Sequence, residues 1–312
     1  MKLSIVVPVY NSQNILPKLV EQIQISVESQ GLIGQFELIL INDCSLDNSW
    51  EIIGQLAETN PFIYGISLRK NFGQHSATMA GLNHARGEVV VIMDDDLQHP
   101  PSEITNLMAA INNGADACYT RYIERQHALW KKLGSRLNDW VANVLLNKPP
   151  GLYLSSFKAL SRDLVQEVIK YDGPYAYVDG LILEVTRSIA VVNIKHQARH
   201  DGEGNYNLRR SVSLWLRMAT SFSVFPLRVA TLCGFILAAV SLIFVAVVVV
   251  QKLIDPSIAM GWTSLIATVL FVGGIQTFCV GLLGEYLGRT YLRINGKPQF
   301  VVRETTWKKN NE

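Results

Sequence analysis

The sequence has few cysteines and none of the spacings that cysteine-based sites require. Its 312 residues include four cysteines, which lie far apart without a CxxC pair or a Cys/His ligand pattern: Cys44, Cys118, Cys233 and Cys279. A disulfide framework and a zinc site are therefore disfavoured. The charge is nearly balanced, with 28 lysines and arginines against 26 aspartates and glutamates, which argues against a nucleic-acid-binding protein.

Two common nucleotide-binding motifs are also absent. No GxGxxG follows the first predicted strand, and the chain contains no Walker A loop. These absences disfavour a dinucleotide-dependent oxidoreductase and a P-loop NTPase. The apolar start, Leu3 to Val9, contains a proline and is too short for a signal-peptide core, so we expect the amino-terminal part to stay in the cytosol.

Charge is nearly absent between Val229 and Gly284. A helix of about 20 apolar residues crosses a hydrocarbon core of about 30 Å. We therefore predict two transmembrane helices, over about 228–251 and 262–286, rather than two buried helices of a soluble domain. Basic residues precede the first span and follow the second, which predicts that both termini, including a tail over 289–312, are cytoplasmic.

The rest of the chain alternates strand-like and helix-like segments. The predicted strands include LSIVVPVY, FELILIND and FIYGISL, and amphipathic stretches separate them. This βαβαβ order predicts an α/β fold with a doubly wound, Rossmann-like parallel sheet, over about residues 1–208. In such sheets ligands bind beyond the carboxyl ends of the strands, so the residues directly after each strand are the candidates for a site.

One strand end is strongly acidic. The predicted strand Glu88 to Met93 leads directly into Asp94, Asp95 and Asp96. In an extended segment Asp94 and Asp96 point to the same side, a spacing suited to a hard divalent cation that also binds a diphosphate. The alternative is a solvated acidic turn before the next helix. Asp43, after the second strand, is either a turn former or an acceptor of hydrogen bonds from a base or ribose.

Four segments of the sequence together resemble a known family. They are VVPVYN, LINDCSLDNS, LRKNFGQHSATMAGLNHARGEVVVIMDDDLQHPPSEI and GLLGEYLGRTY. In this order, and with two apolar spans, the chain resembles the family 2 glycosyltransferases that load a sugar onto polyprenyl phosphate. The resemblance covers nearly the whole chain. It implies a GT-A catalytic domain followed by two transmembrane helices.

The resemblance implies roles for individual residues of a donor site. Asp94 and Asp96 would hold a divalent cation, Mg²⁺ or Mn²⁺. The nucleotide-sugar pocket would include Pro8, Tyr10, Asp43, Lys70, Asp94, Asp95 and Gln98. Two positions depart from the family pattern, because Ser12 stands where a glutamate is frequent and Lys70 where an arginine is frequent.

The resemblance also implies an acceptor site. Its phosphate-binding residues would be Arg199, Asn205, Tyr206, Lys131 and Lys132. Arg199 opens the loop RHDGEGNY, and its planar guanidinium can bind phosphate oxygens bidentately. In this loop Asn205 stands where the family usually has a lysine.

Two segments have the composition of membrane-surface helices. The segment over about 124–147 repeats apolar residues at helical spacing with lysines and an arginine between them. It either lies at the lipid headgroup boundary or packs on the sheet. The juxtamembrane segment 209–227 is also basic and contains a tryptophan, so we expect the two segments to seat the catalytic domain on anionic lipid.

A carboxylate that relatives often use in catalysis is absent. Where many relatives have Gly-Asp before a strand, this sequence has Gly151 and Leu152. The absence need not abolish activity, because a phosphate monoester has its second pKa near 6 and its oxygen is largely ionised at cytosolic pH, so a general base has little left to remove. If a carboxylate assists Arg199 in catalysis, Asp179 is the first candidate. The alternative for Asp179 is a helix N-cap.

The leading hypothesis is an inverting transferase at the cytoplasmic face of the bacterial inner membrane. It would move one sugar from a nucleotide-diphosphate donor, by family frequency UDP-glucose, to undecaprenyl phosphate for lipopolysaccharide O-antigen or related glycan synthesis. The resemblance suggests a homo-tetramer in contact with membrane lipids. Two alternatives are a processive polysaccharide synthase, which normally needs more spans and a QxxRW-like motif, and a membrane-anchored scaffold or flippase partner with a degenerate nucleotide site.

Overall fold

The computed structural model describes residues 1–122, 148–149, 151–194, 225–254 and 261–307. The chain divides into two compact units. The first comprises Met1–Tyr206 together with Gly296–Glu312, and the second comprises Asn207–Asn295. The predicted helix over 124–147 and most of the segment 209–227 lie outside the described residues.

The first unit alternates strands and helices as the sequence predicts. In chain order its elements are β1 (Leu3–Val9), α1 (Leu16–Ser29), β2 (Phe36–Asn42), α2 (Ser49–Thr59), β3 (Ile63–Leu68), α3 (Gln74–Leu82), β4 (Val89–Ile92), α4 (Ile104–Asn112), β5 (Ala117–Tyr122), β6 (Lys158–Ser161), α5 (Arg162–Val168), α6 (Val178–Val185), β7 (Ile189–Ile194) and, after the second unit, β8 (Val302–Thr305). A short 3-10 turn, Pro101–Glu103, precedes α4.

Within the described residues, these strands form one mixed sheet in the order β7-β5-β6-β4-β1-β2-β3-β8. Neighbours among β4, β1, β2 and β3 are parallel, which is the arrangement of a Rossmann-like sheet. The predicted α/β fold is therefore confirmed. The antiparallel direction of β6 and β8 was not predicted, because a strand of four residues carries no pattern that reveals its pairing direction.

The centre of the sheet is covered on both faces. Every residue of β1 and β2 is buried, as expected for parallel strands between helical layers. Helix α3 is buried along almost its whole length, from Ser76 to Leu82. A Cβ atom on Gly81 would lie 2.4 Å from Val6 Cγ1, so the glycine allows α3 to lie this close to the sheet. This packing fixes the strand ends from which the loops of the candidate site emerge.

The second unit contains two long helices, α7 (Phe225–Ile254) and α8 (Trp262–Ile294). The predicted spans 228–251 and 262–286 fall inside them. In the part of the chain that the structure describes, no helix meets the joint requirement of length and apolarity for crossing a membrane.

The segment after α8 returns to the sheet of the first unit. Strand β8 pairs antiparallel with β3, and the neighbouring Arg69 N–H donates to the Val301 carbonyl at 2.9 Å. Thr306 N–H donates to the Gly65 carbonyl at 3.0 Å, and Gly65 N–H donates to Thr306 Oγ1 at 2.9 Å. Part of the predicted tail 289–312 is thus an edge strand of this sheet.

Candidate active site

The carboxyl ends of β4, β1 and β2 lie side by side and lead into three strained loops. In the described chain, three residues other than glycine have a positive φ: Asn11 at 54°, Cys44 at 56° and Leu97 at 60°. Each follows one of these strands. The left-handed conformation costs an ordinary residue about 1–2 kcal/mol. Such strain is concentrated at functional sites, which marks this edge of the sheet as the candidate site.

Asp94 is held by residues from distant parts of the chain. Gln74 Nε2 donates to its Oδ1 at 2.6 Å, and Ser156 Oγ donates to its Oδ2 at 2.5 Å. The Asp96 carboxylate accepts the Gln98 N–H at 3.0 Å. Asp94 and Asp96 are both half-buried, so their oxygens are reachable from solvent.

Asp95 has a different environment from its two neighbours. Its Oδ2 accepts the Ser12 hydroxyl at 2.5 Å and the Tyr10 N–H at 3.2 Å. Burial raises the pKa of the Asp95 carboxyl, and these two hydrogen bonds oppose that effect. The hydrogen bonds of the Asp95 side chain therefore connect the loop after β1 to the end of β4. Asp95 thus holds Tyr10 in place at the end of β1, and its own contact with the nucleotide stays a prediction.

The donor set at Asp94 and Asp96 fits a hard divalent cation that a diphosphate also ligates. Mg²⁺ is commonly bound by one or two carboxylates together with substrate phosphates and water. No lysine or arginine among the described residues forms an ion pair with either carboxylate. His99 Nε2 lies 3.8 Å from Asp94 Oδ2, but burial lowers the pKa of His99 and so favours its neutral form. The described residues contain no group of three or more His, Cys, Asp or Glu side chains able to hold a metal by themselves.

Asp43 ties the end of β2 to the loop after β3. Its buried carboxylate accepts the N–H groups of Phe72 at 2.7 Å and Gly73 at 2.8 Å. Burial raises the pKa of Asp43, and the two amide hydrogen bonds oppose it. Lys70 Nζ lies 4.9 Å from the centre of the Phe72 ring in the same loop. The hydrogen bonds of Asp43 thus connect the end of β2 to the loop after the neighbouring strand β3, and they do not lie within the turn that contains Asp43.

Two other predicted donor residues lie at the end of β1. Pro8 is buried in the strand opposite Ile41. Tyr10 directly follows the strand, and 46% of it is exposed. An aromatic side chain at this position offers a face on which a nucleobase can stack.

Asp179 lies in a buried polar cluster beside the acidic loop. Its Oδ1 accepts the Tyr119 hydroxyl at 2.9 Å and forms an ion pair with Lys158 Nζ. Burial, followed by the charge of Asp179, raises the pKa of Tyr119 well above its ordinary value, so its hydroxyl stays protonated. Tyr177 occupies the N-cap position of α6, and no side chain caps the helix. The N-cap alternative for Asp179 is therefore wrong.

Three residues that contact Asp94 were not among the predicted site residues: Gln74, His99 and Ser156. His99 stands inside the quoted DDDLQHPP segment, so its proximity could have been inferred. Ser156 is 62 residues from Asp94 along the chain, and nothing local in the sequence indicates the contact. The family's absent aspartate, at Leu152, is replaced by a buried aliphatic side chain.

The predicted acceptor residues lie outside the described part of the chain. They are Arg199, Asn205, Tyr206, Lys131 and Lys132. Their assignment to the acceptor phosphate remains a prediction.

Known families match both units of the chain. The model of glycosyl transferase family 2 matches residues 4–169, and the model of the GtrB C-terminal hairpin matches residues 225–290. A Pseudomonas savastanoi pv. phaseolicola protein named undecaprenyl-phosphate 4-deoxy-4-formamido-L-arabinose transferase is 32% identical, over 96% of this chain and 90% of its own. The prophage bactoprenol glucosyl transferase homolog of Escherichia coli K12 is 31% identical, over 97% of this chain and 99% of its own.

Solved structures share the fold. Glucosyl-3-phosphoglycerate synthase from Mycobacterium tuberculosis, in complex with Mn²⁺, UDP-glucose and phosphoglyceric acid, superposes with a TM-score of 0.50 at 18% identity. The match covers 71% of this chain and 78% of that one. It agrees with the GT-A architecture of the first unit.

Proposed function

The chain belongs to glycosyl transferase family 2, and we propose that it transfers a single sugar from a nucleotide-diphosphate donor to undecaprenyl phosphate. The observation that carries the proposal is the placement of Asp43, Asp94 and Asp96 in strained loops at the same edge of the sheet, after strands β2 and β4 on either side of β1. The names of the relatives that match the whole chain supply the acceptor class. A donor such as UDP-glucose is the leading candidate for the sugar source.

We assign the two ends of the donor to different strands. The base and ribose would lie over the loops after β1 and β2, near Tyr10 and Asp43, and the diphosphate would lie at the end of β4. Asp94 and Asp96, with Gln98 beside them, would hold Mg²⁺ or Mn²⁺. Bound there, the ion would stabilise the charge that develops on the departing nucleotide diphosphate.

The proposed reaction forms one bond and breaks one bond. An oxygen of the acceptor phosphate attacks the anomeric carbon, and the bond from that carbon to the nucleotide diphosphate breaks, with its electron pair staying on the diphosphate. Attack from the face opposite the leaving group inverts the anomeric configuration. Arg199 would orient the acceptor phosphate, together with the other predicted acceptor residues.

The environment of Asp179 supports an account without a protein base. Its carboxylate already accepts the Tyr119 hydroxyl and pairs with Lys158, so a proton would have to displace an ion pair. Leu152 has no group that could accept a proton. Because the acceptor phosphate is largely ionised above its second pKa of about 6, positioning is the main task left to the protein.

We further propose that α7 and α8 form a membrane hairpin in the bacterial inner membrane. The family model for a C-terminal hairpin matches this segment. The chain leaves the first unit before α7 and rejoins its sheet at β8, so the segments that precede and follow the hairpin both belong to the first unit. A hairpin that crosses the membrane twice places its two ends on the same side. The basic residues that flank the hairpin favour the cytoplasmic side for both ends. Self-association as a homo-tetramer is part of the same proposal.

The proposal is tested with full-length protein in detergent, undecaprenyl phosphate and a panel of nucleotide sugars with Mg²⁺ or Mn²⁺. Mass spectrometry of the lipid should show the addition of one sugar from one donor. Asp163→Asn, which changes an exposed carboxylate in the first turn of α5, should behave as wild type. Repeated sugar additions would indicate a processive synthase, and no transfer from any donor would favour the scaffold alternative.

A further inference from the structure

The backbone and the carboxylate of Asp94 are both held by one chain of hydrogen bonds. Asp94 N–H donates to His99 Nδ1 at 3.0 Å. A ring nitrogen that accepts a hydrogen bond carries no proton, so the neutral imidazole has its hydrogen on Nε2. Nε2 lies 3.3 Å from Ser156 Oγ, and Ser156 Oγ donates to Asp94 Oδ2 at 2.5 Å. The chain therefore begins and ends on the same aspartate.

This chain of hydrogen bonds is fixed by the hydrophobic core. The His99 ring is 4% exposed and is stacked on Phe157, with ring centres 5.1 Å apart and planes 10° apart. Phe157 is fully buried in the core cluster and directly follows Ser156. The stacked rings of His99 and Phe157 restrict each other's movement. Because Ser156 directly precedes Phe157, its hydroxyl has little freedom to move away from Asp94.

We propose that His99 and Ser156 are positioning residues that orient the Asp94 carboxylate toward a divalent cation at the donor site. This inference rests on the proposed function. The Ser156 hydroxyl occupies one lone-pair direction of Asp94 Oδ2. The carboxylate is thereby held in one orientation, and its other lone pairs point in fixed directions in which a cation can bind. Partners of this kind, which orient a metal-binding side chain without touching the metal, typically change metal affinity or activity about 10–100-fold when they are removed.

The test measures Mn²⁺ binding to the full-length protein in detergent with UDP present, by the electron paramagnetic resonance signal of free Mn²⁺. Ser156→Ala should raise the Kd for Mn²⁺ about 10–100-fold. Ser156→Thr keeps the hydroxyl and should restore most of the affinity. His99→Gln replaces the Nδ1 acceptor of the Asp94 N–H, which the ring stack on Phe157 holds in place, by a flexible amide, and should also weaken Mn²⁺ binding. UDP binding in EDTA should be unchanged in all three variants.

Ser155→Ala is the matched control. Its hydroxyl is one residue away and contacts Thr120 Oγ1 at 2.8 Å and Phe157 N–H at 3.2 Å, not Asp94. It should lower the melting temperature and leave the Kd for Mn²⁺ unchanged. Equal increases of the Kd for Mn²⁺ in Ser155→Ala and Ser156→Ala would indicate a general destabilisation of the structure around Asp94 and would overturn the proposal.

Asp94→Asn separates this proposal from the proposed function. If Asp94→Asn weakens Mn²⁺ binding but Ser156→Ala and His99→Gln do not, the positioning role is wrong and the metal site stands. If Asp94→Asn also binds Mn²⁺ as wild type does, or wild type does not bind it, the metal assignment fails and the positioning proposal fails with it.

Discussion

Two polar clusters lie at opposite ends of the same central strands, and they are built differently. At the amino-terminal end, Glu37 of β2 is 1% exposed and accepts four hydrogen bonds. They come from the Ser4 hydroxyl at 2.6 Å, the Arg86 N–H at 2.7 Å and the Arg86 guanidinium at 2.9 and 2.6 Å. At the carboxyl-terminal end, three consecutive aspartates have no lysine or arginine partner among the described residues.

The backbone differs as well. All three described residues with a positive φ other than glycine follow strands at the carboxyl-terminal end. Both clusters contain buried polar groups, so burial alone does not separate a structural cluster from a candidate site. Two features do separate them: carboxylates without a lysine or arginine partner in the described part of the chain, and a strained backbone. Neither feature contributes to stability without a ligand.

The cluster of Asp179, Lys158 and Tyr119 lies beside the candidate site but is charge-balanced, so it should behave as a structural cluster. Asp179→Asn leaves the buried Lys158 without its partner, and breaking such a pair costs about 3–5 kcal/mol of unfolding free energy. Turnover of the folded fraction should change much less than the roughly 10²-fold that loss of a general base causes. Denaturant unfolding and turnover are the two measurements.

The double variant Lys158→Met with Asp179→Asn removes both charges and should be more stable than Asp179→Asn alone. The pH profile of the chemical step should rise through the acceptor pKa of about 6 and then flatten in the single variant as in wild type. A loss of turnover with unchanged stability would make Asp179 catalytic and contradict the assignment.

Asp96→Asn tests the unbalanced cluster. A carboxamide lacks the charge that balances a cation, and loss of electrostatic stabilisation at a reacting centre costs about 10²–10³-fold in turnover. The melting temperature should stay close to that of wild type, since Asp96 has no ion pair among the described residues. Activity in EDTA equal to that with Mg²⁺, or full activity of Asp96→Asn, would show that the metal assignment is wrong.

Glu37→Gln tests the balanced cluster at the opposite end. The amide has one acceptor oxygen where the carboxylate has two, so the variant would lose either the two hydrogen bonds to Oε1 or the two to Oε2. Each hydrogen bond to a charged group contributes about 1.5–3 kcal/mol, so the unfolding free energy should fall by at least that much. The Kd for Mn²⁺ and the turnover of the folded protein should not change. If Glu37→Gln instead reduced turnover without reducing stability, the amino-terminal cluster would have a functional role.

Cys44 tests the backbone strain. At its φ of 56° the Cβ atom is unfavourable, so Cys44→Gly should be more stable than Cys44→Ala by about 1 kcal/mol. The alanine variant is the control, because it also loses the thiol but keeps the Cβ atom. Equal melting temperatures of the two variants would show that this position stores no strain.

The smallest expected effect concerns His75, which contacts the Tyr177 ring. Burial lowers the pKa of His75, Lys158 acts in the same direction, and the charges of Asp179 and Asp94 oppose them. Below the ordinary histidine pKa of about 6.5 the unfolded chain binds a proton that the folded state resists, so stability falls as the pH falls from this value. Melting temperatures between about pH 5.5 and 7.5 should show a shallower slope in His75→Gln than in wild type.

The sequence predicts the parallel core and the acidic edge because both depend on local patterns. Continuous apolar runs predict β1 and β2, and a carboxylate directly after a strand must lie at the edge of the sheet. The different hydrogen-bond partners of Asp94 and Asp95 could not be predicted, because Ser12, Gln74 and Ser156 are brought near them only by the tertiary structure. Strand β8 was missed for a similar reason, since its partner β3 lies more than 200 residues earlier.

The most direct test of the central claim is a crystal structure of the full-length protein with Mn²⁺ and UDP, with the manganese located by its anomalous scattering. The account predicts a manganese peak coordinated by Asp94 or Asp96 and by diphosphate oxygens, with the uracil ring over the loops after β1 and β2. A manganese peak away from both carboxylates, or UDP bound at another edge of the sheet, would contradict it.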